Sequence, residues 1–301
     1  MFGDFVKTNV DSIVRMKVKG EIIHPELWVE RGFATTWDGR PKLTVGIGGI
    51  VHNVRVGDPV FGWYADHLNA GVAVSDPDPS KQRGVNVFSC IGNEAKVLTG
   101  SAKGSKGIVV GKTYFFAGHS YRLVVDFEPG DREKLSIGDK IEIEAWGTGL
   151  SIIDHEDVRI LSLSPDLLLK MGVEAVDGKL RVPVVKTLPG NLMGTGVGRG
   201  GAHMGAWDIQ SCSPELNKEH DLYSLRFGDI VAITDVTCDY GNSVYEDHII
   251  IGVVSHGESE LSGHGPGIAT IFSGPKEKLV PIHDSKANVA YILGLRDEME
   301  W

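Results

Sequence analysis

The sequence predicts a mainly β protein with a few short helices, a β-rich α+β fold of small barrel-like domains, and three observations carry that prediction. Short runs of β-branched residues closed by Gly or Asp recur along the chain, as in Leu43-Thr44-Val45-Gly46-Ile47 and Lys140-Ile141-Glu142-Ile143-Glu144-Ala145-Trp146. Glycine is abundant, at 39 of 301 residues, and supplies the turns that many short strands require. Helix signals are sparse.

Three times the chain writes an apolar residue, Gly-Asp, any residue and a second apolar one: Val56 to Val60, Ile137 to Ile141 and Phe227 to Val231. Gly offers the positive φ and Asp the local hydrogen bond of a tight turn, so each is read as the entry to a strand. Ala102-Lys103-Gly104-Ser105-Lys106-Gly107-Ile108-Val109-Val110 resembles the turn-then-strand signature of the KOW motif in SH3-like barrels, with Tyr121 to Phe127 as the returning strand. Part of the first domain is therefore expected to be SH3-like. The clearest helix is Ser164 to Gly172, with Ser164 at the N-cap, Pro165 at the first helical position and Gly172 as the stop. The Gly-rich stretch 189–205 follows a strand-like segment, Leu180 to Val185, and places a domain boundary near 185: residues 1–185 form an amino-terminal barrel-like domain and 186–301 a carboxy-terminal β-rich domain.

Composition narrows the function classes. A chain of 301 residues is long enough to bury roughly three-quarters of its unfolded surface. A net charge of -10 opposes nucleic acid as a partner, because phosphate binding needs clustered Lys and Arg. Apolar runs such as Ile249 to Val254 fall far short of the ~20 residues that span a bilayer, and the start Met1 to Lys7 has an early acid and no apolar core, so a cytoplasmic location without membrane contact is expected. Three cysteines, Cys90, Cys212 and Cys238, form no Cys-x-x-Cys pair and are read as reduced thiols, Cys90 as a small buried hydrophobe.

Nucleotide motifs fail on context. Gly196-Val197-Gly198-Arg199-Gly200-Gly201 has dinucleotide-binding spacing but no helical period follows it, and Gly111-Lys112-Thr113 sits in a strand. No nucleotide cofactor is expected, and Gly-x-Ser-x-Gly is absent.

Histidines and carboxylates are the remaining chemistry. Of three Asp-His dipeptides, Asp66-His67 lies in a turn-like setting that can face both side chains into one cleft, whereas Asp154-His155-Glu156-Asp157 reads as a solvated acidic turn. His248 and His256 bracket one apolar strand and stand about 26 Å apart at ~3.3 Å per residue, so they cannot share an ion. His256 ends that strand, and the loop 257–263 can return His264 toward it. Asp235 ends another strand, Asp229 to Asp235, expected to lie alongside. Asp235, His256 and His264 are thus the expected ligands of a divalent metal (zinc, manganese or iron), with Asp66, His67 and Asp208 as acid/base or supporting groups. In Gly263-His264-Gly265-Pro266-Gly267 the glycines let main chain approach closely while Pro266 fixes one φ.

Taken together, Val51 to Asp58, Asp66-His67, Ser89 to Glu94, Ala102 to Gly107, Trp146-Gly147, Asp154-His155 and Gly263 to Gly267 resemble the prokaryotic domain of unknown function 4438 family over nearly the whole chain. The resemblance implies a β-rich fold with separate amino- and carboxy-terminal domains and brings no reaction. It implies Asp66, His67, Cys90, Asp208, Asp235, Tyr240, His256 and His264 as shared positions, from which His203, Asp239, His248, Glu258 and Glu260 depart. A second likeness, of Gly205-Ala206-Trp207-Asp208-Ile209 and Phe227 to Ala232 to acetamidase and formamidase enzymes, tilts the expectation toward amide chemistry. The resulting expectation is a metal-dependent hydrolase of a small polar amide or cyclic amide. The competing one is a non-catalytic barrel that binds a small molecule or a partner through the same loops, and a third is an oligomeric scaffold, a homo-oligomer in which edge strands of two barrels pair between subunits.

Overall fold

The computed structural model describes residues 6–27, 33–115, 120–201, 203 and 205–296. Most of the amino-terminal stretch used above to exclude a leader, residues 1–5, lies outside that range. In chain order the first strands are β1 (Met16–Ile22), β2 (Pro25–Glu26), β3 (Phe33–Thr35), β4 (Pro41–Leu43), β5 (Ile47–Gly48) and β6 (Val72–Ser75). Next come β7 (Glu94–Val97), β8 (Lys106–Phe115), β9 (Ser120–Phe127), β10 (Lys140–Ala145), β11 (Arg159–Ile160), β12 (Glu174–Val176) and β13 (Lys179–Val184). The rest are β14 (Lys186–Pro189), β15 (Ala206–Asp208), β16 (Ile230–Thr237), β17 (Ser243–His256), β18 (Gly267–Pro275) and β19 (Leu279–His283). The helices between them are short, as expected.

A closed barrel is formed in the order β1-β10-β7-β8-β9-β6. The segment with KOW-like spacing supplies its β8, and Tyr121 to Phe127 returns antiparallel beside it as β9. Alternation fills the barrel: β10 buries Ile141, Ile143 and Ala145 and leaves Lys140, Glu142 and Glu144 half-buried outside. The second sheet runs β11-β18-β17-β16-β14, with β15 also on β18, and β12-β13-β19 makes a third. The boundary near 185 falls between β13 and β14, while β13 pairs in parallel with β19.

The three Gly-Asp turns share one construction. Gly57, Gly138 and Gly228 have φ of +95°, +88° and +87°, in the left-handed region. Each following Asp accepts from the amide three residues back, Arg55 N to Asp58 at 2.8 Å, Ser136 N to Asp139 at 2.9 Å and Arg226 N to Asp229 at 2.7 Å. The second and third open β10 and β16; the first opens no strand and instead joins the third through Gly57 N to Phe227 O at 2.8 Å. The 164–172 helix also forms as read, with Ser164 Oγ accepting from Leu167 N at 3.1 Å. The 154–157 turn is exposed at its acids, but His155 is buried, which corrects the solvated reading for that residue.

Both faces of the second sheet are covered. Ile230, Ala232, Ile249, Ile251 and Val253 pack toward the barrel and the short helices. Their alternates Val231, Ile233, Ile250 and Val254 pack under Val54, Val60, Ala65, Leu68 and Ala70. Hydrophobic contact therefore lays segment 54–70 across the far face of the sheet, over the end of β17, and this placement builds the site.

Candidate metal centre

Four elements deliver side chains to one point. Asp66 and His67 come from the covering segment, Asp208 from the end of β15, His256 from the end of β17 and His264 from the loop that leads to β18. His67 Nε2 lies 3.1 Å from His264 Nδ1 and 3.5 Å from Asp208 Oδ2, and His264 Nδ1 lies 3.0 Å from the same oxygen. His256 Nε2 is 3.2 Å from the other oxygen, Asp208 Oδ1. Asp66, His67, Asp208 and His256 are buried, and the His264 side chain is 12% exposed.

Local chain chemistry explains the convergence. His67 holds φ +50°, a left-handed backbone rare for a non-glycine, and its amide donates to Glu258 O at 3.0 Å. The 257–267 loop is tied down by Ser211 N to His264 O at 3.1 Å, Ile209 N to Pro266 O at 2.8 Å and Thr195 N to Gly263 O at 2.8 Å. Two glycines of the Gly-His-Gly-Pro-Gly loop are demanded by close approach: a Cβ on Gly265 would meet Ile209 O at 1.9 Å, and one on Gly267 would meet His256 Nε2 at 1.9 Å.

Proton bookkeeping decides what the cluster can hold. His67 Nδ1 is engaged by Asp66, whose carboxylate also accepts from Ser259 Oγ at 3.1 Å. His256 Nδ1 must donate to Gly257 O, 3.0 Å away, since a carbonyl only accepts. In their neutral forms both imidazoles thus turn a bare Nε2 lone pair toward Asp208, itself an acceptor-only group. Either protons or a cation must lie among these atoms. Burial alone would lower His67, yet hydrogen bonds to Asp208 and Asp66 outweigh it and raise His67 to about 9. Burial would likewise raise Asp208, but the charge and hydrogen bond of His256 and the bonds from His264 and His67 hold it well below the usual carboxylate range.

The geometry also suits an ion. Ligand atoms of His67, Asp208 and His264 all lie within 4.8 Å of one another. Donors held ~2.1 Å from a tetrahedral ion stand about 3.4 Å apart, close to the spacings present. A carboxylate behind a ligand imidazole, as Asp66 stands behind His67, fixes its tautomer and raises its basicity.

Of the residues expected from sequence, His264 and His256 both reach Asp208, but His256 falls outside the group of possible ligand atoms, which is His67, Asp208 and His264; His67 and Asp208, expected as acid/base or supporting groups, stand there instead, with Asp66 behind His67. Asp208 is not peripheral but stands between the three imidazoles. Asp235 does not join them: β16 and β17 are antiparallel, with Ile230 opposite Val253 and Thr234 opposite Ile249, so Asp235 lies at the far edge beside Lys276. Sequence reasoning missed Ser259, for which no pattern in the chain gives a signal. Burial raises the Cys90 thiol, in keeping with a hydrophobic role. Among the described residues no helix is long and apolar enough to cross a membrane.

Comparison with known proteins adds lineage without chemistry. The pattern described as domain of unknown function (DUF4438), N-terminal, matches residues 33–169, and its C-terminal counterpart matches 170–293. A solved chain described as "Crystal structure of TM1086" is similar at 37% identity and a TM-score of 0.89, over 95% of this chain and 98% of that one. A search of curated proteins finds no match.

Proposed function

The chain belongs to the DUF4438 family, and from that premise we propose that its His-Asp cluster is a divalent-metal centre serving hydrolysis of a small polar amide or cyclic amide. The observation that carries the reading is the convergence of His67 Nε2, His264 Nδ1 and Asp208 Oδ2 at 3.0–3.5 Å, with the opposite nitrogen of His67 already held by Asp66. Two imidazoles and a carboxylate suit zinc, ferrous iron or manganese and leave a coordination position for water or substrate. Such an ion brings the pKa of bound water toward ~7 and polarises a carbonyl. Asp66 holds the His67 tautomer, and His256 steadies Asp208 through its second oxygen. The amide class rests on the likeness of the strand carrying Asp208 to acetamidases and formamidases.

Elemental analysis of protein purified without a metal-affinity tag, beside His67→Ala/His264→Ala, tests the centre. One equivalent of metal that is lost in the variant, together with chelator-sensitive hydrolysis in an amide and lactam screen, is the expected result. A metal-free wild-type protein would overturn it.

One observation favours a second reading. His256 Nε2 stands 3.2 Å from Asp208 Oδ1, outside the three-residue group, and a small shift of that ring would add a fourth ligand, the number that closes a structural ion. On that reading the ion ties segment 54–70 to the sheet, chelation lowers the melting temperature, and no substrate is turned over.

A further inference from the structure

The Gly-rich loop whose spacing fits no nucleotide fold supplies no ligand to the His-Asp centre, yet it is fastened to it. Thr195 O accepts from Asp208 N at 3.0 Å, and Thr195 N donates to Gly263 O at 2.8 Å, so the loop departs from between the strand of Asp208 and the loop of His264. Further along it, the backbone of Arg199 is held on both sides: its N donates to Gly196 O at 3.2 Å, and its O accepts from Asn242 N at 2.9 Å. The Arg199 guanidinium lies over the ring of Tyr114, 4.2 Å from the centroid. A Cβ on Gly205 would meet Tyr114 Cβ at 2.8 Å and stand 3.5 Å from Arg199 Nη1. The cation therefore sits beside the residue that leads into β15, about 10 Å of chain before Asp208.

Charge accounting singles this arginine out. Burial opposes the charge of Arg122, Arg132 and Arg199. Arg122 is answered by Glu26 and Arg132 by Asp126, whereas among the described residues Arg199 has no carboxylate partner and no side-chain hydrogen bond. A desolvated cation ordinarily has a counter-charge. The charge of Asp208 reaches Arg199, but that carboxylate is already shared by His67, His256 and His264. A guanidinium presents a rigid fork of donors that fits the two oxygens of a carboxylate, and stacking on an aromatic face fixes the plane of the fork. Arg199 and Tyr114 are both partly exposed, so an anion can approach them from solvent.

We propose that Arg199 sets the specificity of the His-Asp centre and that the substrate is an amide which also bears a carboxylate, as N-acyl amino acids and lactam carboxylic acids do. This rests on the amide-hydrolase reading of that centre. The amide carbonyl meets the ion, and the carboxylate, several bonds away, takes the Arg199 fork. A neutral amide leaves the guanidinium without its partner, and a site built around a polar contact rejects a ligand that lacks it.

Calorimetric titration of the full chain with two matched pairs tests this: N-acetylglycine against N-acetylglycinamide, and pyroglutamate against γ-butyrolactam. The acid of at least one pair should bind at least about tenfold tighter than its neutral partner, the factor that one charge-assisted contact supplies. Arg199→Gln should erase the preference while metal content stays at the wild-type value, and Arg199→Lys, which keeps the charge without the fork, should retain part of it. Equal binding of acid and neutral partner in both pairs, no binding of any of the four, or a preference that survives in Arg199→Gln would overturn the inference. The hydrolase reading fails on other readouts: a metal-free wild-type protein, or an acid that binds through Arg199 and is not hydrolysed, removes the reaction and leaves the anion preference standing.

Discussion

β17 carries two histidines, His248 six residues into the strand and His256 at its end, about 26 Å apart at ~3.3 Å per residue, and the fold treats the two halves of the strand differently. At the His248 end the strand projects, with Val244 and Tyr245 more than half exposed and Asp235 paired to Lys276 at the surface. At the His256 end the strand is buried on both faces, and loops from three other parts of the chain bring Asp66, His67, Asp208 and His264 to it. A histidine at a strand end is ordinary; coverage by segment 54–70 and by the 257–267 loop makes one end a centre. Charge there is desolvated and tightly matched, whereas at the other end water screens it.

Removing the shared carboxylate should break the contrast most severely. Asp208→Ala leaves three imidazoles without their common acceptor, and breaking buried charge pairs costs about 3–5 kcal/mol, so urea unfolding should show a loss of that order together with loss of bound metal. If stability and metal content match wild type, the buried end is no more coupled than the exposed one.

Titration of metal-free protein gives the next largest effect. His67 is raised to about 9 from 6.5, so its contribution is fully present below pH 6.5 and is lost as pH rises through 9, a change of about 3 kcal/mol. Lys112, lowered to about 8 by burial, titrates over part of the same window with the opposite sign, its penalty easing as pH rises. The difference between wild type and His67→Gln, measured by unfolding at pH 6 and pH 9.5, isolates the His67 part. Metal affinity should rise across the same range, because the ion competes with that proton.

Gly267→Ala sharpens the steric side. Its Cβ would meet His256 Nε2 at 1.9 Å, and displacing a packed group costs about 1–3 kcal/mol, so a lower melting temperature and weaker metal retention are expected. Asp235→Ala should be the smallest change, leaving metal content and melting temperature at the wild-type values. Loss of metal in that variant would contradict the placement of Asp235 at the open end.

Much of this was legible in the chain. The Gly-Asp turns, the Ser164 helix cap and the β8–β9 return follow from local residue chemistry, and local chemistry is what a sequence states directly. The Asp66-His67 pair and the Gly-His-Gly-Pro-Gly loop stood out for the same reason. Asp235 went astray because strand direction is not local: the carboxyl ends of two antiparallel neighbours lie at opposite edges, and the spacing of Asp235 and His256 does not reveal that pairing. The central place of Asp208 was hidden likewise, since it depends on β15 joining β18 beside the end of β17.

Anomalous diffraction from crystals of tag-free protein, collected on both sides of the zinc, iron and manganese absorption edges, tests the central claim most directly. The account predicts one strong peak about 2 Å from His67 Nε2, His264 Nδ1 and an Asp208 oxygen, at one of these edges. Density with no anomalous peak at that point, and the four side chains joined only through protons, would contradict it.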